Sequence, residues 1–302
     1  MARFPLRGRA AMEQAIQKAG VLIEAHQYIR QFEGKTVVVK VGGSIMDDPE
    51  GLKRLLKDIC FMDAVGMRPL IVHGGGKAIS QAMAAEGLQA QFVQGRRYTD
   101  DRTLTIAEHV LVNEVNKFIV DEINRFGHRA MGLHSLASCV IFAKRAYLAG
   151  EGGRRIDLGY VGELEGVNAD LVNALIGSEI IPVIAPIARD QAGGKLNINA
   201  DSAAGVVAAA VGAEKLVLVS DTHGIRTGDG EETLASHLRK SDIEKLIEQN
   251  VISEGMLPKV DACFTALEGG VSKTHIIDGR IPHSLLLEIF STTGIGTEIV
   301  IA

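Results

Sequence analysis

Two lysines, far apart along the 302-residue chain, occupy positions where a phosphate could be held. Lys40 lies near the end of Lys35–Ser44, whose four valines and one threonine read as a strand buried on both faces. Gly42 and Gly43 follow, so the strand ends where bare backbone can approach a ligand closely. A surface lysine followed by a glycine turn is compatible with the same residues. Lys259 stands just ahead of a helix predicted over Val260–Glu268, where the helix dipole disfavours a cation. It therefore calls for an anion beside it, and a nucleotide phosphate would serve. A second glycine cluster, His73-Gly-Gly-Gly76, follows a short apolar strand and precedes a helix predicted over Lys77–Glu86, whose free N–H groups make a ready anion site. The cluster is not a Walker A loop, because G-x-x-x-x-G-K-[ST] is absent. Nor is it a dinucleotide fingerprint, since Ile79 stands where the last glycine should fall. Its ligand is a phosphate or a carboxylate. His73 reads as a structural hydrogen-bonding group rather than a base.

Two further features carry charge chemistry. Arg96 and Arg97 lie in a polar turn, where they suit bidentate carboxylate binding or a solvated basic turn. Asp201 precedes an alanine-rich helix predicted over Ala203–Val211, and it reads either as a helix N-cap or as an anion that orients lysines from elsewhere.

These residues are spaced by alternating strands and helices. After the first strand, Asp47 and Asp48 are N-cap candidates with Pro49 at the first helical position, and Leu52, Leu55, Leu56, Ile59 and Met62 line one helical face. A long helix is predicted over Arg102–Phe126, short strands and turns over Gly127–Val161, a buried strand over Ile180–Ala185, a strand over Lys215–Ser220 and an amphipathic helix over Ala235–Glu248. Glycine-rich strand ends within this alternation indicate an α/β fold: an open, mainly parallel sheet sandwiched by helices, with the site at its C-terminal edge. Ahead of it, Ala11–Phe32 is helical in pattern, either packed on its own domain or serving as an arm that docks on another subunit; residues 1–10 read as a loose basic tail.

Composition narrows the function. A 46% hydrophobic content supports a large core, while 4% aromatics and no Trp argue against stacking platforms for single-stranded nucleic acid. A net charge of -5 gives no electrostatic reason to bind nucleic acid or an anionic membrane. Cys60, Cys139 and Cys263 lie far apart with no C-x-x-C, so neither a disulfide framework nor a zinc site is expected, and a reducing, cytoplasmic location is.

Taken in order, Lys40-Val-Gly-Gly-Ser, His73-Gly-Gly-Gly, Gly95-Arg-Arg-Tyr-Thr-Asp, Val115-Asn-Lys, Tyr160-Val-Gly, Ile181-Pro-Val-Ile-Ala-Pro, Asn197-Ile-Asn-Ala-Asp, Gly255-Met-Leu-Pro-Lys-Val and His275-Ile-Ile-Asp-Gly make the chain resemble the amino acid kinase family from about Tyr28 to its end. The similarity is to the branch that phosphorylates N-acetyl-L-glutamate in arginine biosynthesis, and it implies transfer of the γ-phosphoryl of ATP to the side-chain carboxylate. By that resemblance Lys40 and Lys259 stabilise the moving phosphoryl group and Asp201 holds both lysines. Gly42, Gly43 and Gly75 meet phosphate oxygens. Gly75, Gly76, Arg97 and Asn197 bind the acylamino acid. Ser220, Asp221 and Lys259 face the nucleotide, whose Mg²⁺ bridges its own phosphates without a protein metal site.

The N-terminal helix and last segment resemble the arginine-inhibited, hexameric type, a trimer of dimers, with Tyr28, Lys215, His275, Glu288 and Gly294 at the effector position. The resemblance divides the chain into a tail and regulatory helix (1–32), an acylamino-acid lobe (33–212) and a nucleotide lobe carrying the effector segment (213–302). It also brings in a PII-type signalling protein as a partner to test. The chain departs from the pattern at His134-Ser-Leu-Ala-Ser-Cys139, which replaces a glycine/aspartate loop, at Lys77, where a proline is common, and at Tyr98. Competing readings are a kinase of the same fold acting on another carboxylate or a carbamate, and a non-catalytic arginine sensor.

Overall fold

The β-branched run becomes the central strand of the molecule, and alternate residues of Thr36–Val41 face opposite sides of the sheet. Val37, Val39 and Val41 join one buried cluster, while Val38 joins the other. The two-residue period therefore sends Lys40 to the Val38 side. The computed structural model of the chain describes residues 9–135, 138–150, 153–228, 230–252, 255–291 and 294–302. Residues 1–8 of the basic tail expected over 1–10, and Leu136 and Ala137 of the altered loop, lie outside them, while Arg9 and Ala10 are helical rather than loose.

In chain order the elements are α1 (Arg9–Phe32), β1 (Thr36–Val41), α2 (Pro49–Ala64), β2 (Arg68–His73), α3 (Gly76–Ala85), β3 (Phe92–Val93), β4 (Arg96–Arg97), α4 (Asp101–Glu108), a π-helical segment (His109–Asn116), α5 (Lys117–Arg125), β5 (Ala130–Leu133), β6 (Ile141–Ala149), β7 (Arg155–Val167) and α6 (Ala169–Gly177). They continue with β8 (Ile181–Ile184), β9 (Ile187–Arg189), β10 (Lys195–Asn197), α7 (Ala200–Ala210), β11 (Lys215–Ser220), β12 (His237–Arg239), α8 (Lys240–Glu248), α9 (Leu257–Glu268), β13 (Lys273–Asp278), α10 (Ser284–Ile289) and β14 (Thr297–Val300).

One eight-stranded sheet runs β12-β14-β13-β11-β1-β2-β8-β5. Every pair in it is parallel except β13 with β14. Lys40 sits in register with Leu218 of β11 and Val72 of β2, so the loops after all three strands open at the same edge. Strands β10, β7, β6 and β9 close into a small barrel beside that edge. The short strands expected before Val161 are there a long hairpin, β6–β7.

Three local expectations change. The helix expected over Ala235–Glu248 splits, because His237–Arg239 finds a strand partner, with Leu238 opposite Ile299 and buried between two exposed neighbours. Asp242 then accepts the Arg239 N–H at 3.2 Å and starts the helix at Lys240. The long helix over residues 101–125 is continuous but carries the π-helical segment in its middle. In α1, the stretch before Tyr28 does not pack on its own domain: Met12, Ile16, Val21, Leu22 and Ile23 are between 52% and 77% exposed, whereas Phe32 is buried. Asp48 does cap α2, accepting the Glu50 N–H at 3.2 Å, with Pro49 at the first position.

Candidate active site

Helices α7 and α9 lie on the Lys40 face, and small residues let them approach closely. A Cβ on Gly205 would meet the Ala262 carbonyl oxygen at 2.5 Å, and one on Gly269 would meet the Ala209 Cβ at 2.3 Å. Both helices begin at the sheet edge, so their first turns bring Asp201 and Lys259 to Lys40. Lys40 Nζ lies 2.8 Å from Asp201 Oδ1 as an ion pair outside hydrogen-bond alignment, and Lys259 Nζ lies 3.9 Å from Oδ2. Lys40 and Asp201 are buried. Asp201 is not the N-cap of α7: Asn199 takes that role, accepting the Ser202 N–H at 2.9 Å, and leaves the Asp201 carboxylate free for the lysines. Lys259 falls inside the first turn of α9 rather than ahead of it.

The glycines have separate reasons. A Cβ on Gly42 would sit 2.1 Å from Lys40 Nζ, so the ammonium rests on bare backbone there. Gly43 has φ +68° and lies against Asp221, whose backbone nitrogen would be 3.0 Å from a Cβ. Gly75 is pressed by Leu111, at 2.7 Å from a Cβ, while Gly76 faces open space. A cavity of about 520 Å³ opens there, bordered by Lys40, Gly43, Gly75, Gly76, Arg97, Asn197 and Asp201. Arg97 is not a solvated turn residue. Its guanidinium donates to the Gly76 carbonyl at 2.7 Å and Ser80 Oγ at 2.8 Å and stacks on Phe92, while Arg96 is exposed. Burial holds its pKa below the ordinary arginine value. Asn197 donates to Thr99 Oγ1 at 3.3 Å. Ser220 is buried at the end of β11, and Asp221 borders a neighbouring cavity of about 490 Å³ shared with His223, Arg226 and Arg280. A cavity of about 570 Å³ at the other edge of the sheet, near Gly34 and Arg68, contains none of the residues named for chemistry. Among the described residues, no group of three or more His, Cys, Asp or Glu side chains could hold a metal ion.

His73 is fully buried, and burial pulls its pKa down to about 4, so it is neutral at ordinary pH. Nδ1 lies 2.9 Å from the Gly74 carbonyl oxygen and Nε2 lies 3.1 Å from Asn116 Nδ2. Asn116 entered the sequence analysis only inside the Val115-Asn-Lys motif and without a role, although a lone polar residue in line with Val112, Ile119 and Ile123 is a usable signal. An ion pair between Lys77 and Asp47, 2.8 Å long, that the sequence did not reveal joins the segment after β1 to the first turn of α3.

A second cluster forms at the opposite end of β11, about 16 Å from Ser220 at the usual strand rise. His275 Nδ1 lies 2.7 Å from Glu288 Oε1, and Lys215 Nζ lies 3.5 Å from His275 Nε2 and over the Phe32 ring of α1. Glu288 also accepts the N–H groups of Ile295 and Gly296, at 2.7 and 3.0 Å. Burial works against its charge, but these bonds and His275 hold its pKa below the ordinary value. Gly294, at φ +60°, leaves no room for a Cβ beside Glu288, and Tyr28 packs one helical turn before Phe32.

An ion-paired lysine couple beside two glycine loops at the edge of a parallel sheet has the charge and the bare backbone to hold a phosphate. The amino acid kinase family model matches residues 35–278, and the chain belongs to that family. Within it, the chain is 49% identical over 289 residues to an acetylglutamate kinase from Moorella thermoacetica, covering 94% of this chain and 98% of that one. It is 46% identical over 293 residues to an acetylglutamate kinase from Heliobacterium modesticaldum, covering 95% and 99%. Among solved structures, an N-acetylglutamate synthase from Neisseria gonorrhoeae complexed with coenzyme A and N-acetyl-glutamate superposes with a TM-score of 0.83 at 26% identity, covering 94% of this chain and 63% of that one. A carbamate kinase from Giardia lamblia, at 14% identity and TM-score 0.62 over 89% of this chain and 99% of that one, shares the fold. No helix among the described residues is long and apolar enough to cross a membrane.

Proposed function

We propose that the protein transfers the γ-phosphoryl group of ATP to the side-chain carboxylate of N-acetyl-L-glutamate. The observation that carries this reading is the meeting of Lys40 and Lys259 on Asp201 beside the Gly43 and Gly75 loops. The relatives named acetylglutamate kinase supply the substrate. A glutamate side chain is ionised at neutral pH, so attack requires no base. The task is to bring two anions together and spread the transferring charge, which cations, backbone N–H groups and positioning accomplish. Lys40 and Lys259 take the charge on the moving group, and Asp201 keeps both ammonium groups aimed. The N–H groups of Gly43 and Gly75 meet phosphate oxygens, whereas the Gly42 N–H expected beside them donates to the Val219 carbonyl at 3.2 Å and is already taken. Arg97, already braced by Gly76 and Ser80, binds the α-carboxylate, with Gly75, Gly76 and Asn197 around the rest of the acylamino acid. Asp221, at the edge of the neighbouring cavity, faces the nucleotide, with the buried Ser220 donating to its Oδ1 at 3.3 Å. Mg²⁺ carried by ATP neutralises the triphosphate.

In this reading residues 33–212 bind the acylamino acid and residues 213–302 the nucleotide, across one continuous sheet joined by β1 and β11. Free arginine inhibits by binding at Tyr28, Lys215, His275, Glu288 and Gly294, where the Glu288 carboxylate suits a guanidinium. The exposed apolar residues of α1 dock on another subunit and build a hexamer from dimers. The free cysteines Cys60, Cys139 and Cys263 fit a cytoplasmic location. An ATP-dependent hydroxamate assay tests the assignment. N-acetyl-L-glutamate should outperform L-glutamate, N-acetyl-L-aspartate and carbamate, and dependence on added Mg²⁺ is expected. Preference for another acceptor would replace the substrate assignment, and binding of arginine without ATP or any acceptor would leave a sensor.

A further inference from the structure

We propose that Asn116 is a positioning residue for the glycine loop after β2, acting through His73; this rests on the kinase reading above. The Val183 carbonyl can only accept, so the Asn116 atom 2.9 Å from it is the NH₂ group. The same nitrogen lies 3.1 Å from His73 Nε2 and donates to it. The Gly74 carbonyl also only accepts, so His73 Nδ1 carries the proton and donates at 2.9 Å. One tautomer satisfies every contact, and it ties the Gly74 peptide to β8 through two side chains.

The π-helical segment explains how one helix reaches both ends of this chain. Leu111 presses on Gly75 and Asn116 holds His73, and the two are five residues apart. In an α-helix they would lie about 140° apart around the axis. With the i→i+5 bonding of a π-helix they come onto nearly the same face. Asn116 Oδ1 in turn requires Gly132, where a Cβ would lie 2.2 Å away. The segment thus braces the ends of β2, β5 and β8 together, and with them the N–H groups of Gly75 and Gly76.

The experiment combines ¹⁵N spectra of the full chain with kinetics of Asn116→Asp and Asn116→Leu. Wild-type His73 should be the neutral Nδ1–H tautomer between pH 6 and 8; an Nε2–H ring overturns the proposal. In Asn116→Asp the ring should become an imidazolium, and the Gly75 and Gly76 amide signals should move. Loss of one aligned donor set should lower kcat roughly 10- to 100-fold while KM for both substrates changes less than about threefold. Asn116→Leu, which offers no donor, should show the same kinetic pattern with a neutral ring. Unchanged kcat, or a fall in kcat with the two glycine amides unmoved, refutes positioning. If neither variant folds, the wild-type tautomer decides. If the wild type transfers no phosphoryl group, the kinase reading fails, while the ring and amide signals still test the brace.

Discussion

Replacing Asp201 by Asn removes one charge and almost no volume, and it separates the two roles that the carboxylate combines. At an effective dielectric of about 20, its attraction is about 6 kcal/mol to Lys40 at 2.8 Å and about 4 kcal/mol to Lys259 at 3.9 Å. Desolvation of the three groups offsets most of this, and breaking such a buried pair costs about 3–5 kcal/mol. The site borders a water-accessible cavity, so the stability loss of D201N should fall near the lower figure. In D201N two ammonium groups face a neutral amide and repel each other, so neither holds its place over the phosphoryl group. A fall in kcat of roughly 100-fold or more follows, comparable with losing a preorganised oxyanion donor. KM for ATP should stay level or fall, because a negative charge beside the triphosphate has gone. Initial rates in the hydroxamate assay, with urea unfolding of the same preparation, give both quantities. A kcat within about threefold of wild type, or a raised KM for ATP at unchanged kcat, would refute the reasoning.

Saturating arginine should inhibit the wild-type enzyme, and E288Q should raise the half-inhibitory concentration more than about tenfold, since a guanidinium loses its charged bidentate partner; unchanged inhibition curves would dismiss this cluster as the effector site. Deleting residues 1–24 removes the exposed apolar stretch of α1 and should lower the number of subunits per particle found by light scattering, whereas an unchanged number would mean that the helix is not an arm. His73 is lowered in the fold from 6.5 to about 4, so between those values the unfolded chain binds more protons and stability falls as pH falls. The loss between pH 7 and 4 is roughly 3 kcal/mol from this residue, and urea midpoints in H73Q should decline less steeply over that range; equal slopes would place the pH sensitivity elsewhere.

Much of this molecule could be read before any coordinates. The valine run around Lys40, the glycines after it and Pro49 behind an aspartate cap are local signals, set by β-branching, bare backbone and a fixed φ, and they place a strand, a loop and a helix start correctly. The ordered motifs from Lys40 to His275 carried the family. Local pattern failed where a partner decides the outcome. His237–Arg239 is helical by periodicity and a strand because β14 lies beside it. Asp201 was open between cap and counter-ion until Asn199 took the cap.

What the sequence by itself determined was the alternation of strands and helices around Lys40, the glycine loops and the residue types able to handle phosphate. Only the tertiary structure decided which of those residues meet. Lys40, Asp201 and Lys259 come from a strand and two helices spread over most of the chain, and their convergence depends on sheet register and on helices close enough to require Gly205 and Gly269. Spacing along the chain carries no record of such contacts, because the distance between two side chains is set by what packs between the elements that bear them.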